Sequence, residues 1–426
     1  MRAVLLWLFY FMRVQYRICN MKSKKDTQIQ KLISQQKNLQ QKQINLIASE
    51  SYAPQGVLNA LGSVLTDKYS EGYPAKRYYP GNKIHNEIEL LAQKRALQLF
   101  KLSSKDWGVN VQPYSGAIAN GEIYAALLKP NDVILALDLM SGGHLSHGSK
   151  VSITGKLYRV YHYGVDADYR IDYKQIEKLA REYKPKLIIS GASAYPFQID
   201  FKKIGTIAKK IGAYHLADIS HYAGLISAGV YQSPFVYADI VMSTTHKSLH
   251  GPRGAIIWSR KELAEKIDKA VFPGMQGGPH DNTIAAIAHG LQVTIQSKQY
   301  YKRVAQNAKT LARTFQELGG TIVGGGTDSH VVLIDVRPFG LHGGEAQDLL
   351  EQAHVLANRN MIAGDTSAQK PSAVRLGTYA ITQRKMGSQE VEHIARIIYG
   401  VFTDKKVAKH IQERVKEITK KFPIKR

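Results

Sequence analysis

From Asn45 onward, short apolar runs alternate with segments whose apolar residues recur at helical spacing, which predicts an α/β fold. Ala117–Leu128 reads as a helix stopped by Lys129-Pro130, since proline cannot continue it. Asp132–Leu137 is predicted as a strand, Asp172–Glu182 as a helix, and Lys186–Ser190 as a strand after Pro185. Phe201–Lys210 is predicted as a helix leading into the strand Ala213–Ala217. Ile240–Ser243 reads as a buried strand, and Ala255–Trp258 as another after the turn Gly251-Pro252-Arg253-Gly254. Ile284–Ile295 and Tyr301–Leu318 are long helical patterns, the second crossing towards a separate C-terminal unit. That unit holds a strand, His330–Val336, a helix, Gly344–His354, and a last helix near Gln389–Phe402. The expected division is a basic N-terminal extension (1–43), a large unit (44–300) and a small C-terminal unit (301–426).

Composition narrows the class without changing that picture. At 426 residues, 44% hydrophobic and 22% charged, the chain is an ordinary globular protein, which excludes a disordered, collagenous or disulfide-scaffold class. Its one cysteine, Cys19, allows no intrachain disulfide and no thiolate metal cluster, so a reducing cytoplasm is the expected compartment. The net charge of +24 is concentrated at the ends, with +8 over residues 1–43 and +6 over residues 401–426. Such a field attracts anions. The plain reading is Lys-rich solvated termini, because no aromatic-and-basic nucleic-acid signature lies beside them; neither a specific nucleic acid nor a membrane is expected as partner. The apolar run Val4–Met12 is too short to span a bilayer and lacks a small-residue cleavage site. Met21 opens a polar stretch that reads like a start, so an upstream start codon or an unstructured extension is expected rather than secretion.

The chemistry concentrates in four segments. In Ser243-Thr244-Thr245-His246-Lys247-Ser248 a lysine stands just beyond a buried strand, among hydroxyls and a histidine. A lysine with apolar or cationic neighbours loses its proton more easily and can attack an aldehyde; a structural lysine after a strand is the bland alternative. Asp218, at the end of the preceding strand, comes 29 residues before Lys247, about one strand–connection–strand unit. Both would then lie at carboxyl ends of neighbouring strands, where open α/β sheets bind ligands. An aspartate there can hold the ring nitrogen of pyridoxal phosphate protonated while the lysine carries its aldehyde; a helix N-cap explains it equally. Ser115-Gly116-Ala117 opens a helix and lets backbone N–H groups approach a phosphate, though capping alone accounts for it. Phe272-Pro273-Gly274-Met275-Gln276-Gly277-Gly278-Pro279 is either a second anion-binding loop or a tight turn.

Asn45-Leu46-Ile47-Ala48-Ser49-Glu50, the stretch Lys68–Tyr79, Gly142-Gly143-His144-Leu145-Ser146-His147-Gly148 and the Lys247 segment together resemble the serine hydroxymethyltransferase family. The likeness runs from about Asn45 to the C-terminus. It implies pyridoxal-phosphate fold type I, with a mostly parallel seven-stranded sheet between helices and a smaller α/β C-terminal domain. It also implies reversible transfer of the serine hydroxymethyl group to tetrahydrofolate, giving glycine and methylenetetrahydrofolate. By the same resemblance Lys247 forms the cofactor aldimine and Asp218 pairs with the pyridinium nitrogen. His144 stacks on the ring, Ser193 and His221 lie near its phenolic oxygen, Thr244 and His246 tune the Lys247 region, and Arg253 supports that lysine's loop. Ser115, Gly116 and Ala117 hold the phosphate, joined by Gly277 and Gly278 of a partner subunit in a homodimer, or in a tetramer built from it. Arg375 grips the substrate carboxylate with help from Ser49 and Tyr79, Tyr69 reaches across the dimer, and Glu71 is the proton-transfer carboxyl group. Folate contacts are implied for Glu71, Tyr78, Leu139, Gly143, Leu145 and Asn360. No metal site is implied; His144 and His147 lack a third ligand at a suitable spacing.

Several positions depart from the family pattern: Pro80 and Asn82 after Tyr79, Tyr114 before the phosphate loop, Met275 in the glycine cluster, Tyr379 after Gly377-Thr378, and a shortened stretch 361–373. These changes crowd the folate and loop regions. The alternative reading is accordingly a folate-independent aldolase or transaldolase acting on β-hydroxy amino acids, with a basic paralogue of little turnover as a third.

Overall fold

A computed structural model describes residues 26–367 and 369–426. The expected extension upstream of Asp26, with its apolar run and Cys19, lies outside the described residues.

The large sheet has seven strands: β1 (Trp107–Asn110), β2 (Val133–Leu137), β3 (Arg159–Tyr163), β4 (Leu187–Ser190), β5 (Tyr214–Asp218), β6 (Ile240–Thr244) and β7 (Ala255–Arg260). Their spatial order is β1-β7-β6-β5-β4-β2-β3. The β3, β2, β4, β5 and β6 neighbours are all parallel, and β7 runs antiparallel to both β6 and β1. The middle strands are buried on both faces, which is why they read as continuous apolar runs. Period-two alternation sorts their side chains: Ile134, Ala136, Leu187, Ile189, Leu216, Ile240 and Met242 pack on one side with the helix Gly116–Leu127. Leu135, Leu137, Ile188, Ala217, Val241 and Trp258 pack on the other with helices Tyr173–Tyr183, Phe201–Ile211 and Asp281–Gln296. β1 and β3 escaped the sequence reading; β3 is mostly half-buried, so its Arg-Val-Tyr-His-Tyr carries neither an apolar run nor a clean alternation.

A second sheet joins Thr321–Ile322, Val331–Asp335, Ala373–Gly377 and Asn358–Asn360 in that order, all antiparallel. The helix Lys298–Glu317 links the two cores, with Tyr301 and Val304 in the first and Ala308, Leu311 and Phe315 in the second. Ile44–Asn45 pairs in parallel with Val355–Leu356, so Ile44 and Leu46 are buried in the core of the second sheet.

The described parts of the basic ends are helical, and the first of these helices is solvated along nearly its whole length. Thr27–Lys42 is a helix capped by Asp26, and Ser388–Asp404 is not the last helix, because Lys409–Lys421 follows it. Neither terminal helix was legible: the first buries no residue, and the second buries only Val415 and Thr419 amid lysines. Arg384 fastens both, donating to the carbonyls of Gln41, Gln43, Thr419 and Phe422. Among the described residues, no helix is long and apolar enough to cross a membrane.

Candidate active site

The parallel register of β5 and β6 sets Asp218 opposite Met242. This brings Asp218 and the Thr244–Lys247 segment together at the carboxyl edge of the sheet, where strands hand over to loops. Two communicating cavities of about 520 and 230 Å³ open there and share His144, Ser193, His221, His246, Lys247 and Arg253.

The smaller cavity is lined by Ser115, Gly116, Ala117, Asp218 and Thr244. Ser115 is the N-cap residue of Gly116–Leu127, yet its side chain makes no capping bond. The hydroxyl and the first-turn N–H groups of that helix therefore face the cavity with no local acceptor. Gly116 is required: a Cβ there would stand 2.5 Å from Thr244 Cγ2. Thr244 Oγ1 and Asn120 Oδ1 are buried without partners, as polar groups are when they wait for a ligand.

Asp218 is held as a carboxylate. Burial opposes its ionisation, but the hydrogen bond from His147 Nε2 (3.0 Å), the Lys247 charge and the Ser220 N–H (3.0 Å) outweigh it and keep the carboxyl below its usual range. Asn120 Nδ2 donates a further bond at 3.2 Å. Burial pushes the Lys247 ammonium down to about 8, with Asp218 opposing and Arg375 and Arg253 reinforcing the drop. Its amine is consequently unprotonated at a far lower pH than an exposed lysine. When the apoprotein is given a simple aromatic aldehyde and trapped with borohydride, labelling of Lys247 should climb about tenfold per pH unit and level off above about pH 8. Mass spectrometry of the labelled peptide checks this; a rise continuing to about pH 10 would mark an ordinary lysine.

The histidines around the lysine are neutral. Burial, with the charges of Lys247 and Arg253, lowers His246 to about 3, and burial with His147 lowers His144 to about 4. His144 Nδ1 accepts from the Ser146 N–H at 3.1 Å, which holds its ring at the boundary of both cavities as a flat stacking surface. Arg253 approaches His246 Nε2 at 3.5 Å.

The wider cavity adds Ser49, Leu139, Gly143, Leu145, Asn360 and Arg375. Arg375 comes from the second sheet and reaches the first, donating to Ser193 O (2.8 Å) and Asn358 Oδ1 (3.2 Å). Burial lowers its pKa to about 10, so it stays cationic at neutral pH.

The remaining predicted residues lie elsewhere on the chain. Tyr69, Glu71, Gly277 and Gly278 line a separate cavity of about 480 Å³ that has no lining residue in common with the first two. Tyr79 sits against Tyr69 with ring centroids 5.4 Å apart, and Tyr78 meets Phe272 edge-on; both are exposed. Tyr114 ties this region to the phosphate loop, stacking on His280 at 4.2 Å and donating to Gly278 O. Within one chain, then, the structure does not bring Glu71, Tyr69, Tyr78, Tyr79, Gly277 or Gly278 to Lys247.

A buried lysine of depressed pKa, a buried carboxylate one strand away, a glycine-floored helix terminus and an arginine across the mouth fit pyridoxal phosphate and an amino acid. The comparisons agree. The profile of the family described as serine hydroxymethyltransferase matches residues 22–398. The chain belongs to the serine hydroxymethyltransferase family. Three relatives of that name bear it out. The Coprothermobacter proteolyticus protein is 46% identical over 93% of this chain and 96% of its own length. Its Desulfotalea psychrophila counterpart is 46% identical over 93% and 94%. The Caenorhabditis elegans protein is 44% identical over 90% of this chain and 80% of its own length. The family match begins at residue 22, well before Asn45, so it takes in the helix Thr27–Lys42.

Among serine hydroxymethyltransferase residues, sequence reasoning missed His147, Asn120 and Asn358. His147 had a signal, standing in the same Gly-His-Leu-Ser-His-Gly motif as His144; Asn120 follows the phosphate loop by one helical turn. Asn358 carried none.

Proposed function

We propose that the Lys247 cavity catalyses reversible transfer of the serine hydroxymethyl group to tetrahydrofolate, giving glycine, methylenetetrahydrofolate and water. The observation that carries this is the placing of Lys247 and the ionised Asp218 on one cavity, with Arg375 on the adjoining cavity that Lys247 also lines, in a chain of this family. Bound pyridoxal phosphate supplies an electron-withdrawing ring that accepts the electron pair released when the Cα–Cβ bond of serine breaks.

This chain's residues do the rest. Ser115 and the N–H groups of Gly116 and Ala117 receive the phosphate dianion at a helix N-terminus. Asp218 holds a proton on the ring nitrogen, and His147 and Asn120 fix its carboxylate. His144 would cover one face of the ring, and Thr244 and His246 line the same cavity as Lys247 and would tune it. Arg375, with Ser49 beside it, takes the substrate carboxylate through a planar guanidinium suited to bidentate contact. Ser193 and His221 face the phenolic oxygen. Leu139, Gly143, Leu145 and Asn360 line the wider mouth and would receive the folate. The unit 44–300 carries Lys247 and the unit 301–426 carries Arg375, so substrate binding draws on both.

Glu71, Tyr69, Tyr78, Tyr79, Gly277 and Gly278 complete the site from a second copy of the chain, in a homodimer with shared sites. The separate cavity lined by Tyr69, Glu71, Gly277 and Gly278, with Tyr79 packed on Tyr69, supports this reading. Mixing Tyr69→Ala and Lys247→Ala proteins, each nearly inactive, should restore up to about a quarter of wild-type activity, since one mixed site in each heterodimer is intact. Activity no greater than the two separate variants would count against sharing. The cytoplasm is the compartment we propose, on the single cysteine.

Serine labelled at its hydroxymethyl carbon tests the reaction. Transfer of label to tetrahydrofolate, saturable in folate, is the expected result. Folate-independent cleavage of allo-threonine with no transfer from serine would favour the aldolase.

A further inference from the structure

A buried knot of side chains behind the cavity belongs to none of the roles above. His330, at the start of Val331–Asp335, is wholly buried, as are Tyr379 and the backbone of Ala48. His330 Nε2 lies 3.1 Å from the carbonyl oxygen of Ala48 and 3.3 Å from His221 Nδ1. The two imidazoles are within 18° of coplanar with centroids 5.5 Å apart, so they meet edge to edge, nitrogen to nitrogen. Tyr379 holds both of them: its ring packs on His330 at 4.2 Å, and its hydroxyl donates to His221 O at 2.8 Å. Tyr300 in turn donates to the Tyr379 carbonyl.

The hydrogen-bond count fixes the protons. A carbonyl only accepts, so the proton of neutral His330 must be on Nε2, where it serves Ala48 O. Nδ1 of His330 is buried with no partner, which a charged ring would not tolerate. Burial accordingly lowers His330 to about 3 and drives His221 well below its usual value. With Nε2–H of His330 also facing His221 Nδ1, that nitrogen must be the acceptor. The single proton of His221 is then on Nε2, the nitrogen left to the cavity that His221 lines.

We infer that His330 and Tyr379 are positioning residues that lock His221 as an Nε2–H donor towards an anionic oxygen in the active site. The oxygen is the phenolic one of the cofactor, a choice that rests on the function proposed above. The same knot registers the two sheets. Tyr379 follows Arg375 by four residues, and Gly377 packs so closely on Ala48 that a Cβ would fall 2.3 Å from its Cα. The donor His221, the clamp Arg375 and the neighbouring Ser49 are thereby set relative to one another.

The test uses apoprotein carrying 15N-labelled histidine, with the His221 signals assigned by their loss in His221→Asn. Long-range 15N–1H spectra should show His221 as the Nε2–H tautomer. His330→Gln, whose amide nitrogen can donate to both acceptors, should retain that tautomer and keep the cofactor dissociation constant within about threefold. His330→Leu should give a mixed or reversed tautomer and weaken cofactor binding about tenfold. A purely packing role predicts the opposite order, because leucine suits a buried site better than an amide. Should the leucine protein not fold, Tyr379→Phe, which removes one hydroxyl, should weaken cofactor binding about fivefold and leave the tautomer intact. An Nδ1–H tautomer in the wild-type apoprotein, a glutamine variant worse than leucine, or unchanged cofactor affinity in Tyr379→Phe would each overturn the inference. The tautomer is read without cofactor or substrate, so a failed reaction assignment would leave that result standing.

Discussion

Replacing Lys247 with alanine lowers kcat for serine cleavage by about 10⁴-fold, roughly 5 kcal/mol of transition-state stabilisation. The amine does two jobs that no neighbour can take over. It captures the cofactor aldehyde, which needs a nucleophilic nitrogen unprotonated near neutral pH, and burial has brought Lys247 down to about 8. It is also a stronger base than its cavity neighbours His144 and His246, which burial lowers to about 4 and about 3, and neither of these can form an imine with an aldehyde. Ser115, Gly116 and Asp218 remain in place in this variant, so the cofactor should still bind, released by dialysis where the wild-type retains it. Rapid-quench measurement of a single turnover with labelled serine checks the loss. A fall of less than about 100-fold would move the reaction away from this lysine.

The Asp218→Asn protein retains cofactor but loses about 10²- to 10³-fold in kcat, with KM for serine changed far less. Shape is conserved and charge is not. His147 Nε2, Asn120 Nδ2 and the Ser220 N–H all donate to this carboxylate. An amide presents an NH₂ group to at least one of those donors and places no negative charge beside the ring nitrogen. The ring then loses its proton and, with it, most of its pull on the electron pair. Because the wild-type carboxyl lies below its usual range, kcat should show no acid limb from this group between about pH 5 and pH 8. Steady-state kinetics across that window, with cofactor content measured on the same samples, checks both statements. A loss confined to KM would assign Asp218 to substrate binding instead.

The two replacements read different parts of one device. In the proposed reaction Lys247 would act through its own nitrogen and Asp218 only through the ring it would hold.

Much of this was present in the chain before folding. Strands such as Leu187–Ser190 and Ile240–Thr244 are short apolar runs because helices cover both faces. Lys247 and Asp218 could be paired from spacing alone, since one strand–connection–strand unit returns the chain to the same sheet edge. The Ser115 loop was legible too, although only the structure separated a ligand-facing hydroxyl from a cap. The helices Thr27–Lys42 and Lys409–Lys421 were not legible, because what holds them is distant: Arg384 reaches four carbonyls at their ends, and Ile411, Val415 and Ile418 of the second pack on the core of the small sheet.

Local pattern, then, determined the α/β layering, the placing of Lys247 and Asp218 at one sheet edge and the helix start at Ser115, because each depends on residues within one element or its immediate successor. Tertiary structure alone decided which distant groups meet. It put His147 on Asp218, Arg375 on the Ser193 carbonyl and His330 on Ala48, and it kept Glu71 and Gly277 away from the Lys247 cavity of their own chain. Periodicity records which face of an element is buried, but not what that face packs against; that is set by the shapes of two cores and the helix joining them.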